Sequence, residues 1–66
     1  MNLFEAMVAV ALLKRAGYES TVTEQGHVQV LDPVYRVQGK NLVHIEDKIV
    51  TLHSMLDVTL FIEERC

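Results

Sequence analysis

The N-terminal segment, residues 3–13 (LFEAMVAVALL), constrains the fold of this chain most strongly, because Glu5 is its only polar side chain. Asn2 followed three residues later by Glu5 is a capping-box pattern, and Gly17 is a natural left-handed residue after a helix end. The segment therefore predicts a helix. A helix that lies on one sheet face carries a single apolar stripe and a polar back. This helix is apolar almost all round, so we expect it to need cover on more than one side.

The apolar segment does not predict a membrane anchor. A secretory signal has basic residues before its apolar core, whereas Glu5 comes early here and Lys14 and Arg15 follow the core. The segment is also well short of the roughly 20 residues that span a bilayer. A single cysteine, Cys66, cannot form an intrachain disulfide, which favours a reducing cytoplasm. We therefore expect a cytoplasmic protein without a membrane partner.

Residues 18–33 (YESTVTEQGHVQVLDP) predict a β-hairpin with a three-residue loop that ends at Gly26. This loop places Val22 opposite Val28 and Ser20 opposite Val30, whereas a two-residue loop would mix the polar and apolar faces. Proline cannot donate to a β-ladder, so Pro33 is expected to end or bend the second strand. Residues 34–41 (VYRVQGKN) then read as a short extended segment with a turn around Gly39, or as a loop.

Residues 41–53 (NLVHIEDKIVTLH) predict two short strands that turn at residues 46–47. His44 and His53 would then share a sheet face at levels roughly 13 Å apart, too far for one metal ion. The predicted helix-facing set is Val43, Ile45, Val50 and Leu52, and the opposite set is Leu42, His44, Ile49, Thr51 and His53.

Ser54 with Asp57 at the third helical position predicts the start of a second helix. The chain is then a single α+β domain over residues 1–66. Its predicted order is α-β-β-(β)-β-β-α, an antiparallel meander of three to five short strands with both helices packed on one face. An alternative order places the helices on opposite faces.

The surplus of apolar side chains predicts self-association. A chain of 66 residues buries only about 60% of the surface that it exposes when unfolded. Two helices that are apolar almost all round, together with Leu31, Leu42 and Ile49, exceed what one core needs. Because large exposed apolar patches mark interfaces and two-fold dimers are the commonest assembly, we expect a homodimer. The alternative is a denser core in a monomer.

Charge and motifs argue against several functions. The net charge is −3 and the six basic residues are scattered, so a nucleic-acid footprint is not expected. The sequence has no glycine-rich phosphate loop, nucleophile elbow or Cys-x-x-Cys. His27, beside a hairpin glycine, is interpreted as a solvated turn residue. We expect no catalytic residue, metal site or cofactor.

The favoured hypothesis is a non-enzymatic interaction protein, an accessory factor or an inhibitor of the kind found in phages or mobile elements. It would bind a protein through one sheet face, or add a strand at an unpaired edge near Arg36. A nucleic-acid-binding regulator is the alternative, with Tyr35 as its platform aromatic. The third hypothesis is an enzyme with an intersubunit His44 site. The predicted partner-binding residues are Leu31, Arg36, Leu42, His44, Ile49 and Thr51.

Overall fold

Two helices and three strands follow one another along the chain in the computed structural model, which describes residues 1–65. They are α1 (Leu3–Arg15), β1 (Ser20–Val22), β2 (Val28–Gln38), β3 (Asn41–Leu52) and α2 (Met55–Glu63). The strands form one antiparallel sheet in the order β1-β2-β3. The α+β class is therefore confirmed. The five strands of the predicted order are wrong, because β2 and β3 are each one long strand.

Both helices begin at the predicted caps. The Asn2 side chain accepts a hydrogen bond from the Glu5 amide at 2.8 Å, and the Glu5 carboxylate accepts from the Asn2 amide at 3.3 Å. The Ser54 hydroxyl accepts from the Asp57 amide at 3.2 Å. The Asp57 carboxylate reaches one residue further back than in a standard capping box and accepts from the His53 amide at 3.0 Å. These contacts fix the residue at which each helix begins.

The core lies between the helices and one face of the sheet. The predicted register of the first hairpin is confirmed, since Val22 pairs with Val28 and Ser20 pairs with Val30. This register turns Val28 and Val30 of β2 towards both helices, which pack on the same face as predicted. The buried residues are Ala6, Ala9 and Leu13 of α1, Val28, Val30 and Leu52 of the sheet, and Val58 and Phe61 of α2.

The predicted turn at residues 46–47 is wrong. Glu46 and Asp47 lie within β3 and pair with Val34 and Pro33 of β2. A two-residue hairpin turn needs a positive φ angle, which these two residues do not supply. Gly39 does, with φ of 61°, so the β2–β3 hairpin turns there, as the sequence also suggested.

Pro33 lies inside β2 instead of ending it. The Leu31 amide donates to the Glu19 carbonyl at 2.9 Å, and this is the last link between β1 and β2. The backbone nitrogens of alternate residues in a strand point towards the same neighbouring strand. The Pro33 nitrogen therefore points to the side of β2 on which β1 lies, but at a level beyond the end of β1. The missing N–H therefore lies at a free edge, where proline is tolerated.

Beyond this point β2 and β3 continue as a two-stranded ribbon, residues 33–47, which we call the arm. At its base the Arg65 guanidinium binds the Asp32 carboxylate at 2.7 Å and stacks 3.7 Å from the Phe61 ring centre. This hydrogen bond to Asp32 raises the pKa of Arg65. The six residues on the β2 side extend the arm by about 20 Å. The molecule is accordingly 45 Å long but only 22 Å and 15 Å across.

Replacing Leu13 by alanine should lower the free energy of unfolding by about 2–5 kcal/mol, because its side chain is fully buried and leaves a cavity. Urea unfolding at one fixed protein concentration measures the change. Leu12→Ala is the matched control, since Leu12 is 39% exposed, and its loss should stay below about 1 kcal/mol. An equal loss of unfolding free energy in the two variants would contradict the placement of Leu13 in the core.

Candidate functional site on the open sheet face and the arm

The surface of the sheet that faces away from the helices is called the open face here. Val28, Val30 and Leu52 are buried against the helices. Since side chains alternate along a strand, the residues next to them in sequence lie on the open face. The open face of the body consists of Gln29 and Leu31 on β2 and Ile49 and Thr51 on β3, and Pro33 and Asp47 continue it at the base of the arm.

A β-bulge determines which side chains of the arm lie on the open face. Val34 pairs with Glu46 and Tyr35 pairs with His44, so Ile45 is an extra residue on β3. The extra residue reverses the alternation, which brings His44 to the same face as Asp47, three positions further along the chain. The His44 Nε2 and Asp47 Oδ1 atoms are 2.9 Å apart as a result. The predicted turn at this place would have reversed the alternation in the same way.

The open face is concave where the arm meets the body. The Tyr35 and His44 rings are in contact, with centres 5.5 Å apart. A depression of about 410 Å³ lies beside them. Its lining combines an imidazole–carboxylate pair and a phenol with apolar side chains, so it can exchange hydrogen bonds with a partner and also bury apolar groups. The lining residues are Gly17, Glu19, Leu31, Pro33, Tyr35, His44 and Asp47.

Five of the six predicted partner-binding residues lie on the open face, namely Leu31, Leu42, His44, Ile49 and Thr51. Arg36 does not, because it pairs with Val43 and points to the other face of the arm. The five residues do not form one small site. Leu42 and Thr51 are nine residues apart on one strand, a distance of about 30 Å. Leu42 and His44 belong to the arm, and the other three belong to the body.

The predicted distance of roughly 13 Å between the levels of His44 and His53 is wrong. With no turn between them, they stand about 30 Å apart along β3. His53 instead contacts His27, with ring centres 4.3 Å apart. Extending the Val28–Leu52 pairing by one residue would have found this contact, but the sequence interpretation assigned His27 to a solvated turn. Residues 1–65 contain no group of three or more potential metal ligands.

A second apolar surface lies on the backs of the helices. Because both helices pack on one face of the sheet, the sides opposite the core point in the same direction. We call this surface the outer helical face; it consists of Leu3, Phe4, Met7 and Ala11 of α1 and Leu56 and Leu60 of α2. Phe4 is 75% exposed and Leu56 is 66% exposed. The sequence interpretation recognised the surplus of apolar residues but could not say where it would lie.

No protein-family model matches the chain, and no curated protein or solved structure matches it either. Within the described residues, neither helix is long and apolar enough to cross a membrane. The geometry of the chain is therefore the basis for a functional proposal.

The arm should exchange its amide hydrogens faster than the body. A two-stranded ribbon without a covering layer is only marginally stable, and the arm can open without disturbing the core. We expect amides of residues 34–38 and 41–45 to exchange at least about 100-fold faster than those of residues 28–31 and 49–52. Exchange measured by NMR on the isolated protein tests this. Equal protection in the two regions would mean that the arm unfolds together with the core.

Proposed function

We propose that this chain is a small non-enzymatic interaction protein that functions as a homodimer in the cytoplasm and presents its arm and open face to a protein partner. The half-exposed His44–Asp47 pair is proposed as a recognition element. Acid–base catalysis would need further groups that converge on it.

The outer helical face is the observation that carries this proposal. In a monomer, the backs of surface helices are normally polar. Here Phe4 and Met7 are 75% and 62% exposed and lie on the side of α1 away from its buried residues, and Leu3, on the flank of the first turn, is 71% exposed. Leu56 extends the same surface on α2. Contiguous apolar surface of this kind marks an interface, and a second copy of the chain is the partner that is always present.

The arm supports a second, different contact. Leu42 and Val37 pair near its tip and are 66% and 70% exposed. In the described sheet β3 is an edge strand along its whole length, and β2 has a free edge beyond Pro33. Unpaired backbone groups at such edges can accept an added strand from another protein. Partner binding by strand addition near Arg36, with apolar contacts on either face of the arm, is consistent with this geometry.

Phe4→Glu should convert a dimer into a monomer. The substitution places a charge among the apolar residues of the outer helical face while leaving the core intact, since Phe4 is mostly exposed. Sedimentation equilibrium with reductant, which keeps Cys66 reduced, should give twice the 7.5 kDa chain mass for the natural sequence and the single mass for the variant. Leu42→Glu, on the arm, is the control and should remain dimeric. A natural chain that is monomeric at all concentrations would contradict the proposal.

Leu42→Asp and Ile49→Asp should leave the fold unchanged and abolish partner binding. Both side chains lie on the open face and are more than 60% exposed, so the free energy of unfolding should change by less than about 1 kcal/mol. Affinity capture with the natural chain and each variant, followed by quantitative mass spectrometry, provides the comparison. Gln25→Ala, in the β1–β2 loop, is the control. If all four baits retain the same proteins equally, the open face is not the partner-binding surface.

One feature favours nucleic-acid binding as a second candidate function. Residues 34–45 of the arm contain Arg36, Lys40 and His44 but no carboxylate, whereas the whole chain has a net charge of −3. Ribbons of two strands can enter a DNA groove. Two fixed cations provide few phosphate contacts, however, so the protein partner is favoured. A duplex DNA or RNA probe that binds at low salt, and no longer binds Arg36→Glu, would reverse this order.

A further inference from the structure

We propose that the second copy docks on the outer helical face with the two-fold axis parallel to the helices, so that both arms project from the same end of the dimer. This inference rests on the proposed homodimer and specifies its geometry. It is derived from the direction of the helices and from the charges at their ends.

The two helices run in the same direction. At one end of the molecule, the N-terminal ammonium group contacts the carbonyl of His53, the residue before the cap of α2, at 3.5 Å. At the other end, the ring of Tyr18, which follows α1, packs edge-on against Phe61 in the last turn of α2, with centres 5.1 Å apart. The N-termini of both helices therefore lie together, and so do their C-termini. The arm leaves the body at the C-terminal end, beside Arg65 and Asp32.

The charges on the helix backs are confined to this C-terminal end and differ in sign between the helices. Arg15 lies in the last turn of α1 on the side away from the core, and Glu63 is the last residue of α2; Lys14, also in the last turn of α1, lines the depression beside β1. All three side chains are exposed. Among the described residues, the ion pairs of the molecule involve none of the three. The outer helical face is thus apolar towards the helix N-termini and carries a basic and an acidic corner side by side at the other end.

These corners discriminate between two limiting arrangements, with the two-fold axis either parallel to the helices or across them. With the axis parallel to the helices, α1 of one copy lies over α2 of the other and points the same way. Arg15 then faces the partner's Glu63, and the apolar residues of the two copies meet each other. With the axis across the helices, each C-terminal end lies over an N-terminal end, so that Arg15 faces apolar residues such as Phe4. Charges without partners on an apolar surface are unfavourable, which selects the first arrangement.

In the selected arrangement both arms project from the same end of the dimer, and we call this geometry the fork. Two sheets enclose two layers of helices, so the sheets lie about 30 Å apart. Each arm continues its sheet beyond the helices, and the two arms therefore bound an open cleft of about the same width. The faces of the arms that carry Val34, Arg36 and Val43 point into this cleft. The edges of the arms remain free for strand addition.

Charge reversal in separate chains provides the first test. Arg15→Glu and Glu63→Arg should each weaken the homodimer about tenfold or more, because like charges then meet at both symmetric contacts. An equimolar mixture should form heterodimers with an affinity within about threefold of the natural dimer, because both contacts then pair opposite charges. Pairing within one chain could not produce this rescue. Native mass spectrometry with one chain isotope-labelled counts the heterodimers, and a statistical mixture would overturn the inference.

The distance between the arm tips provides the second test. Lys40→Cys in a Cys66→Ser background allows one spin label at each tip, and sedimentation confirms that this variant still dimerises. Pulsed dipolar spectroscopy should give about 30–40 Å for the fork. Arms at opposite ends would be about 65 Å apart, given the length of the arm.

The outcomes separate this inference from the proposed function. A dimer with the short distance and preferential heterodimers supports both. A dimer with the long distance and no heterodimer preference overturns the fork but leaves the homodimer in place. A monomer at every concentration overturns both.

Discussion

The pairing of β2 with β3 is the interaction on which the rest of the structure depends. The part of this pairing that includes Val28, Val30 and Leu52 forms the sheet face on which both helices pack. The second part of the pairing continues beyond the helices and forms the arm. Because the β2–β3 pairing continues through both parts, the arm takes its direction from the core, and the bulge at Ile45 determines which side chains of β3 lie on each face. An isolated hairpin of this length would be marginal, and the packed half supplies the stability that the free half lacks.

The positions of the small and the large side chains around α1 determine which surface of the helix remains apolar. Ala6 and Ala9 face the core and are fully buried, whereas the larger Phe4 and Met7 lie on the other side of the helix. A core of eight residues is then complete without the outer helical face. For a chain of 66 residues, this arrangement leaves much of the apolar surface exposed. In the proposed homodimer, folding and assembly would use different sides of the same helices.

Much of the candidate site could be predicted because strand alternation is visible in the sequence. Ile49 and Thr51 were assigned to the open face from parity with Val50 and Leu52, and the structure places them there. Leu42 was assigned correctly for a wrong reason, since a bulge and a turn reverse parity alike. Arg36 was predicted beside an unpaired sheet edge, and β2 has a free edge there, but its face could not be assigned because no register was available for residues 34–41. The contact between His27 and His53 was missed because it joins residues that are distant in sequence.

The sequence by itself determined the local features: both helix caps, the register of the first hairpin, the turn at Gly39 and the excess of apolar residues. Each of these depends on residues within a few positions of one another, whose side chains satisfy nearby backbone groups or alternate along a strand. Only the tertiary structure decided that the pairing of β1 with β2 stops before Pro33. Pro33 therefore lies at a free edge, and β2 can continue beyond it. The tertiary structure also decided that the apolar excess divides between the arm and the backs of the helices, because packing between distant elements selects which side of each helix faces the core.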